Sequence, residues 1–409
     1  MEYYTRHIEP KLMELFRHFP VIALLGARQT GKSTLVHHLP IQNLSTVVFD
    51  PVQDMGNARE DPDFFLQNKS LPLFLDEIQY APELLAAIKR YVDIRQEVGL
   101  FILTGSQHLS VMKSISESLA GRVAVINLHP MSSREQARTP GNGFFRDFFH
   151  EPGFDPFKFI CSAFRPVFPF IWKGGFPGLL SLPHHLYASF FESYLRTYIE
   201  RDVRAVSGIG SLQTFGRFFG LLAALTGQEI NHNQLGRELG IDRKTALAWT
   251  EIATSTFQWH QVPAFSRNVV KKISGKSKGY FADTGFACYL QRIMTPDVLM
   301  QHPLGGRLFE TFVFLEILKQ VDTWPMKPAM YHFRSYSGAE VDLILEMNGV
   351  LHPVEIKMKS HPSKRDCSGI MSFRQYCSGS DTGTGFIVCS TDTIEKVHDD
   401  VYAVPWWEV

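Results

Sequence analysis

"VIALLGARQTGKSTLVHHL" (residues 21–39) is the stretch on which the fold turns. Its first five residues are a continuous apolar run, suited to a short strand buried on both faces, and the pattern after Gly31 has helical period. Between them lies G-x-x-x-x-G-K-S, from Gly26 to Ser33. A glycine loop joining a strand to a helix turns backbone N–H groups around Gly26 and Gly31 toward phosphate oxygens. Lys32 is spaced to reach the terminal phosphates, the Ser33 hydroxyl to ligate Mg²⁺, and Thr34 to complete the cradle. The expected ligands are therefore ATP and Mg²⁺.

Two further segments fit that reading. "LPLFLDEIQ" (71–79) is a buried strand ending in Asp76 and Glu77, a metal-holding carboxylate followed by a water-polarising one. "LFILTGSQ" (100–107) is another, ending in Thr104, Ser106 and Gln107, polar groups able to sense a terminal phosphate. Lys32, Asp76 and Glu77 are the expected catalytic residues, with Glu77 as base or water-orienting group. Arg122, in "SESLAGR", is a candidate for the terminal phosphate of its own or a neighbouring subunit, or else a salt-bridged surface residue.

The chain as a whole bounds what these motifs can belong to. Its 409 residues allow two or three domains. Lys+Arg and Asp+Glu balance at 41 each, so any nucleic-acid contact must come from a local patch rather than a global field. Five cysteines without C-x-x-C spacing argue against a disulfide framework or a zinc site and suit a reducing cytoplasm. The opening "MEYYTRHIEPKL" lacks a signal-peptide layout, and no run approaches the roughly 18 apolar residues of a membrane span.

The middle of the chain changes character. "GNGFFRDFFHEPGFDPFKF" (141–159) scatters phenylalanine among glycine and proline, which implies an irregular aromatic connector packed between domains. "FESYLRTYIERDVR" (191–204) reads as a helix whose Arg196, Arg201 and Arg204 either contact phosphate or pair with Glu200 and Asp202. In "NHNQLGRELGIDRKTALAWTEI" (231–252), Asn231 or Asn233 caps one helix, Gly240 supplies a turn and Asp242 caps a second. That is a helix-turn-helix pattern, with Arg243 and Lys244 at the start of the second helix, where DNA contact occurs. "SRNVVKKISGKSKGYF" (266–281) follows, a winglike hairpin in which Arg267, Lys271, Lys272, Lys276 and Lys278 occur with no acid among them. These residues are the expected DNA contacts.

The rear poses a charge problem. In "AEVDLILEMNGVLHPVEIKMKS" (339–360), two alternating segments flank Asn348-Gly349, the signature of a two-residue hairpin turn. Partners across such a turn sum to a constant, which sets Asp342 opposite Glu355 on the same face, with Lys357 beside them. Two like charges so placed are destabilising unless something positive stands between them. "GGRLFETFVFLEILKQV" (305–321) adds a helix carrying Glu310 on an apolar stripe. Glu310, Asp342 and Glu355 form a candidate set for one or two Mg²⁺, with Lys357 to position or activate water. The alternatives are a solvated hairpin face or a register slipped at Pro353.

The order G-R-x-x-E, E-V-D, E-x-K resembles the PD-(D/E)xK nuclease fold, through Glu310, Asp342, Glu355 and Lys357. Across nearly the whole chain, "GARQTGKST", "LDEIQ", "LTGSQ", "SLAGR", "GGFP", "TYIERDV", "YFADTG" and "EVDLILE" with "EIK" are similar to the AAA-type ATPases that carry a C-terminal DUF4143 domain. The resemblance implies an α/β protein: a P-loop AAA-type ATPase domain (1–138), a phenylalanine-rich connector (139–205), a winged helix-turn-helix (206–282) and a restriction-endonuclease-like α/β domain (283–409). It also implies a homo-oligomer, in some relatives a ring. The expected function is a cytoplasmic, ATP-hydrolysing protein acting on DNA as a helicase or branch-migration motor. The alternatives are an ATP-gated, metal-dependent nuclease and a nucleotide-operated switch that binds a protein.

Overall fold

Val21–Leu25 (β1) is buried along its whole length, and successive residues serve opposite faces of one sheet. Val21, Ala23 and Leu25 join Leu73, Leu75, Phe101 and Leu103 on one face. Ile22 and Leu24 join Phe74, Ile102, Ala124 and Ile126 on the other. A strand buried on both sides needs a helical layer over each. The Leu84–Arg95 helix covers the first face with Leu84, Leu85, Ala87, Ile88 and Val92. The Glu9–Phe16 and Lys32–His38 helices cover the second with Leu12, Leu35 and Val36.

The sheet contains β1, Ser45–Val48 (β2), Leu73–Asp76 (β3), Phe101–Gly105 (β4) and Val123–Asn127 (β5), all parallel, in the order β2-β3-β4-β1-β5. Because β4 lies between β1 and β3, its carboxyl end stands between the glycine loop and Asp76. That order brings the three polar strand ends together, as ligand sites in open α/β sheets require.

The computed structural model describes residues 2–50, 56–106, 118–141, 143–199, 203, 211–267, 275–335, 338–377 and 382–409. It divides into two compact units: 1–131 with 176–178 and 255–258, and 132–175 with 179–254 and 259–409. The parallel sheet is the core of the first. The winged and rear segments, expected as separate domains meeting at 282/283, both belong to the second.

In the winged segment, which belongs to the second unit apart from residues 255–258, helix Leu212–Ala224 is followed by Gln228–Glu229 (β6), helices His232–Leu239 and Arg243–Ser255, Trp259–Val262 (β7) and Lys278–Phe281 (β8). The strands form an antiparallel sheet ordered β6-β8-β7, which is the winged-helix arrangement. Asn231 is the cap of the first short helix, accepting from the Asn233 and Gln234 amides. Gly240 ends that helix with φ +67°, and the Asp242 carboxylate accepts from the Thr245 amide at 2.9 Å.

The rear segment runs helix Gly305–Thr323, Ala329–Arg334 (β9), Glu340–Met347 (β10), Val350–Ile356 (β11), helix Ser368–Tyr376, Gly385–Cys389 (β12), Glu395–His398 (β13) and Val401–Pro405 (β14). The mixed sheet is ordered β13-β14-β12-β11-β10-β9. In the β10–β11 hairpin Leu343 faces Val354 and Met347 faces Val350, the constant-sum register expected of the Asn348-Gly349 turn. Both turn residues have positive φ, +52° and +81°. Pro353 does not slip that register; it pairs with Ile344. A bulge does occur on the other side of β10, between Val341 and Ile344, the stretch that contains Asp342.

The phenylalanine-rich connector differs from expectation in its destination. Helix Phe144–His150 packs on the rear sheet within the second unit rather than between domains. Phe144, Phe145 and Phe148 meet Phe386 of β12 edge-on at 5.8, 5.1 and 4.9 Å. Arg134 anchors the same segment through an ion pair to Glu408 at 2.9 Å. No helix among the described residues is long and apolar enough to cross a membrane.

Candidate nucleotide site and rear carboxylate cluster

The glycine loop is built by close backbone approaches. A side chain at Gly26 would run into the Leu128 carbonyl at the end of β5, so only glycine fits there. Gln29 and Gly31 have φ of +60° and +91°, and Gly31 stands immediately before the Lys32–His38 helix. Lys32 is buried, and its Nζ donates to the Gly26 and Ala27 carbonyls, both at 2.9 Å. Arg6, which sequence reasoning missed, braces the loop from behind, donating to the Thr30 carbonyl at 2.9 Å and the His129 carbonyl at 2.7 Å. No local pattern marks Arg6, because its partners lie far along the chain.

The three strand ends converge as expected. Ser33 Oγ donates to Asp76 Oδ2 at 2.6 Å, and Thr104 Oγ1 donates to Asp76 Oδ1. The Glu77 amide donates to Thr104 Oγ1 at 3.1 Å. Gln79, a second residue the sequence did not single out, donates through Nε2 to both Glu77 and Ser106 Oγ. Glu77 itself has φ +59°, a left-handed conformation that costs a non-glycine residue about 1–3 kcal/mol and persists only where its surroundings enforce it. A hydroxyl and a carboxylate in direct contact, beside a lysine and a glycine loop, are a donor set that fits Mg²⁺ carrying a nucleotide. Thr34 follows within the same helix, and Gln107 lies outside the described residues.

Arg122 is not part of this site. It precedes β5, whose Val123 is level with Val21 at the amino end of β1. At about 3.3 Å per residue the glycine loop is on the order of 16 Å away. Arg122 pairs instead with Asp93 at 2.5 Å and does not reach the phosphate position of its own chain.

The rear acids also come together, and what stands among them is a correction. Lys278, expected on the outer wing as a DNA contact, is the first residue of β8 and its side chain is 2 % exposed. Its Nζ lies 2.7 Å from Glu310 Oε1, 2.9 Å from Glu340 Oε1 and 3.0 Å from Asp342 Oδ1. Two residues on, the Tyr280 hydroxyl donates to Glu310 Oε1 at 2.9 Å. Lys357 pairs with Glu355 at 2.7 Å and lies 3.7 Å from Asp342, whose Oδ2 also accepts from the Ile356 amide at 2.9 Å. Glu310, Asp342 and Glu355 are thus buried against the two lysines, while Glu340 and Lys357 keep about a third of their side chains in solvent.

The titration of the cluster follows from this packing. Burial, and then the Asp342 charge, push the Glu310 carboxyl up to about 7. The same two causes, in the same order, raise Glu355 well above its ordinary value, against the opposing pull of Lys357. Burial works against the Asp342 charge, but Lys278, Lys357 and the Ile356 amide outweigh it, and Asp342 stays ionised below the usual range. Burial would likewise lower Lys278, yet Tyr280, Asp342, Glu310 and Glu340 hold it firmly protonated.

The expected metal ligands Glu310, Asp342 and Glu355 therefore do not fit a divalent ion. Two lysines fill the role assigned to it, and among the described residues no group of three or more His, Cys, Asp or Glu side chains is arranged to hold a metal. Of the other expected DNA contacts, Arg243 and Lys244 are exposed at the start of the second helix of the helix-turn-helix, and Arg267 and Lys276 are exposed on either side of residues 268–274, which lie outside the described residues. Lys271, Lys272, Arg201 and Arg204 lie outside the described residues.

Three family descriptions match the chain: an AAA domain over residues 18–137, a domain of unknown function (DUF8612) over 167–297 and a second (DUF4143) over 305–409. Uncharacterized proteins of Mycobacterium bovis and Mycobacterium tuberculosis are each 27 % identical over 361 residues, covering 88 % of this chain and 75 % of theirs. Among solved structures, the Walker-type ATPase of Pyrococcus abyssi is similar at 17 % identity and TM-score 0.43, over 71 % of this chain and 96 % of its own. The RuvB Holliday junction branch migration motor of Thermotoga maritima is similar at 14 % identity and TM-score 0.28, over 66 % and 91 %. With the glycine loop, Asp76 and Glu77 inside the first match and the mixed rear sheet inside the last, the chain carries an AAA domain with the residues of an ATPase at its front and a DUF4143 domain at its rear.

Proposed function

We propose that this ATPase acts on DNA, its nucleotide state controlling how the winged helix engages a duplex or junction, as in a helicase or branch-migration motor. The observation that carries the reading is the second helix of the helix-turn-helix. It presents exposed Arg243 and Lys244 on its first turn, and Arg267 and Lys276, on either side of residues 268–274, are exposed as well. Balanced overall charge means that this local patch must supply the attraction.

In the front site, ATP draws Lys32 from the Gly26 and Ala27 carbonyls onto its terminal phosphates. Ser33 and Asp76 would hold Mg²⁺, which would supply neutralisation of the phosphate charge. Glu77, held by Gln79 and by its own amide on Thr104, orients the attacking water and accepts its proton. Thr104 and Ser106 carry the presence of the terminal phosphate to Asp76 and Gln79, with which they share hydrogen bonds. Assembly into a homo-oligomer belongs to the same reading and is checked by mass in solution with and without nucleotide.

The nuclease alternative is disfavoured by Lys278 among the rear acids. The protein-binding switch remains the rival, supported by the balanced charge. Fluorescence anisotropy on labelled duplex, forked and four-way DNA, over a salt series, separates them. Each phosphate contact adds about 0.9 to the slope of log K against log salt, so Arg243→Ala/Lys244→Ala should flatten it by about 2. No binding to any substrate, or an unchanged slope in that variant, would remove the DNA reading.

A further inference from the structure

The two lysines of the rear cluster come from different places. Lys357 follows Glu355 on β11 and belongs to the hairpin. Lys278 comes from β8 of the winged helix, inside the stretch matching DUF8612, whereas Glu310, Glu340 and Asp342 lie inside the DUF4143 match. One domain thus supplies the ammonium and the other supplies the carboxylates.

An ammonium has three donors and no acceptor. Those of Lys278 have three carboxylates within 2.7–3.0 Å. The seat is crowded on the side of Glu310 and Glu355 and opens to solvent at Glu340. A side chain at Gly369, on the Ser368–Tyr376 helix, would collide with Glu355 Oε1 and the Glu340 carbonyl, and one at Gly227 would stand 3.4 Å from Glu310 Oε2. A second cation at the same oxygens would face a like charge at about 3 Å in a low-dielectric interior.

We propose that Lys278 is the resident cation of the rear cluster: it occupies the position a divalent ion would take among Glu310, Glu340 and Asp342, so the folded rear module binds none there. Removing its charge converts those three carboxylates into a divalent-cation site. The cluster sets four carboxyl groups beside two ammonium groups; without Lys278 only Lys357 is left to face them, and the oxygens it vacates are suited to a hard cation. This inference is independent of whether the winged helix engages DNA.

The test is Mn²⁺ binding to the nucleotide-free full chain, read by electron paramagnetic resonance of the free ion, in an Asp76→Asn background that silences the front site. The parent and Lys278→Arg should bind no Mn²⁺ at the rear. Lys278→Met should gain one equivalent at least about a hundredfold tighter than any residual binding in the parent, and adding Asp342→Asn should abolish the gain. The inference is overturned if the parent binds Mn²⁺ in a manner that Asp342→Asn removes, or if Lys278→Met, folded by its tryptophan emission, gains nothing. Should Lys278→Met not fold, the comparison of the parent with Asp342→Asn decides alone. Binding that depends on Asp342 refutes the resident cation, and its absence supports it.

Discussion

Glu310→Gln should abolish a specific part of the pH dependence of stability. In the folded chain the Glu310 carboxyl is pushed up to about 7 from an ordinary 4.5, first by burial and then by Asp342. The groups facing it are Lys278 and Tyr280 on β8 and Asp342 on β10, with Glu340, Glu355 and Lys357 next in the cluster. Between those two pH values the folded state binds the extra proton, so this group makes stability fall as pH rises, and the loss is complete above the folded value. Over pH 5 to 8 the contribution amounts to about 2.5 kcal/mol. His332 and His352, both lowered chiefly by burial, act in the opposite direction, so the raw profile of the wild type is a mixture.

The difference between wild type and Glu310→Gln isolates the carboxyl. All six tryptophans belong to the second unit, so urea unfolding followed by tryptophan emission at pH 5, 6, 7 and 8 reads the unit that contains Glu310. The stability difference should shift by about 2.5 kcal/mol in favour of the glutamine variant as pH rises. A difference that stays flat across that range would mean that Glu310 titrates as an exposed carboxyl does, and would refute the buried cluster.

Glu77→Gln should keep ATP binding and lose at least about a hundredfold in hydrolysis, measured by phosphate release, because only the proton acceptor is removed. Lys32→Ala should lose both, with nucleotide affinity read by calorimetry. Gly369→Ala should destabilise the second unit by about 1–3 kcal/mol in the same urea assay, since its methyl group collides with Glu355 and the Glu340 carbonyl. Phe144→Ala should cost about 3–5 kcal/mol there, having removed a fully buried ring from the face of β12.

The nucleotide site was legible because its parts are local. A glycine loop after an apolar strand and acids at the end of another need only the parallel sheet to meet. The opposition of Asp342 and Glu355 was legible for a similar reason, since the Asn348-Gly349 turn fixes the register by itself. Lys278 was misread because it ends a run of lysines and shares their composition. The available signal was its period-2 relation to Tyr280: the two point to one side of β8, while Gly279 packs against Trp259 and Phe281 against Phe219 and Phe286. For Arg122 the sequence left open its own phosphate, a neighbour's or a surface salt bridge; strand direction removes the first, since a residue entering a parallel strand lies opposite the carboxyl ends, and the pair with Asp93 matches the last. Arg6 was invisible, as its contacts are set only by the finished fold.

β8 gives this chain an unusual inheritance. One side of a four-residue strand completes the winged helix, and the other neutralises acids encoded downstream. A descendant that received the rear segment by recombination without β8 would carry buried carboxylates with no counter-charge, and one that received β8 alone would carry a buried ammonium. Each half on its own would be selected against, so the two should persist in lineages as a pair, and a substitution at Lys278 should be accompanied by changes at Glu310, Glu340 or Asp342.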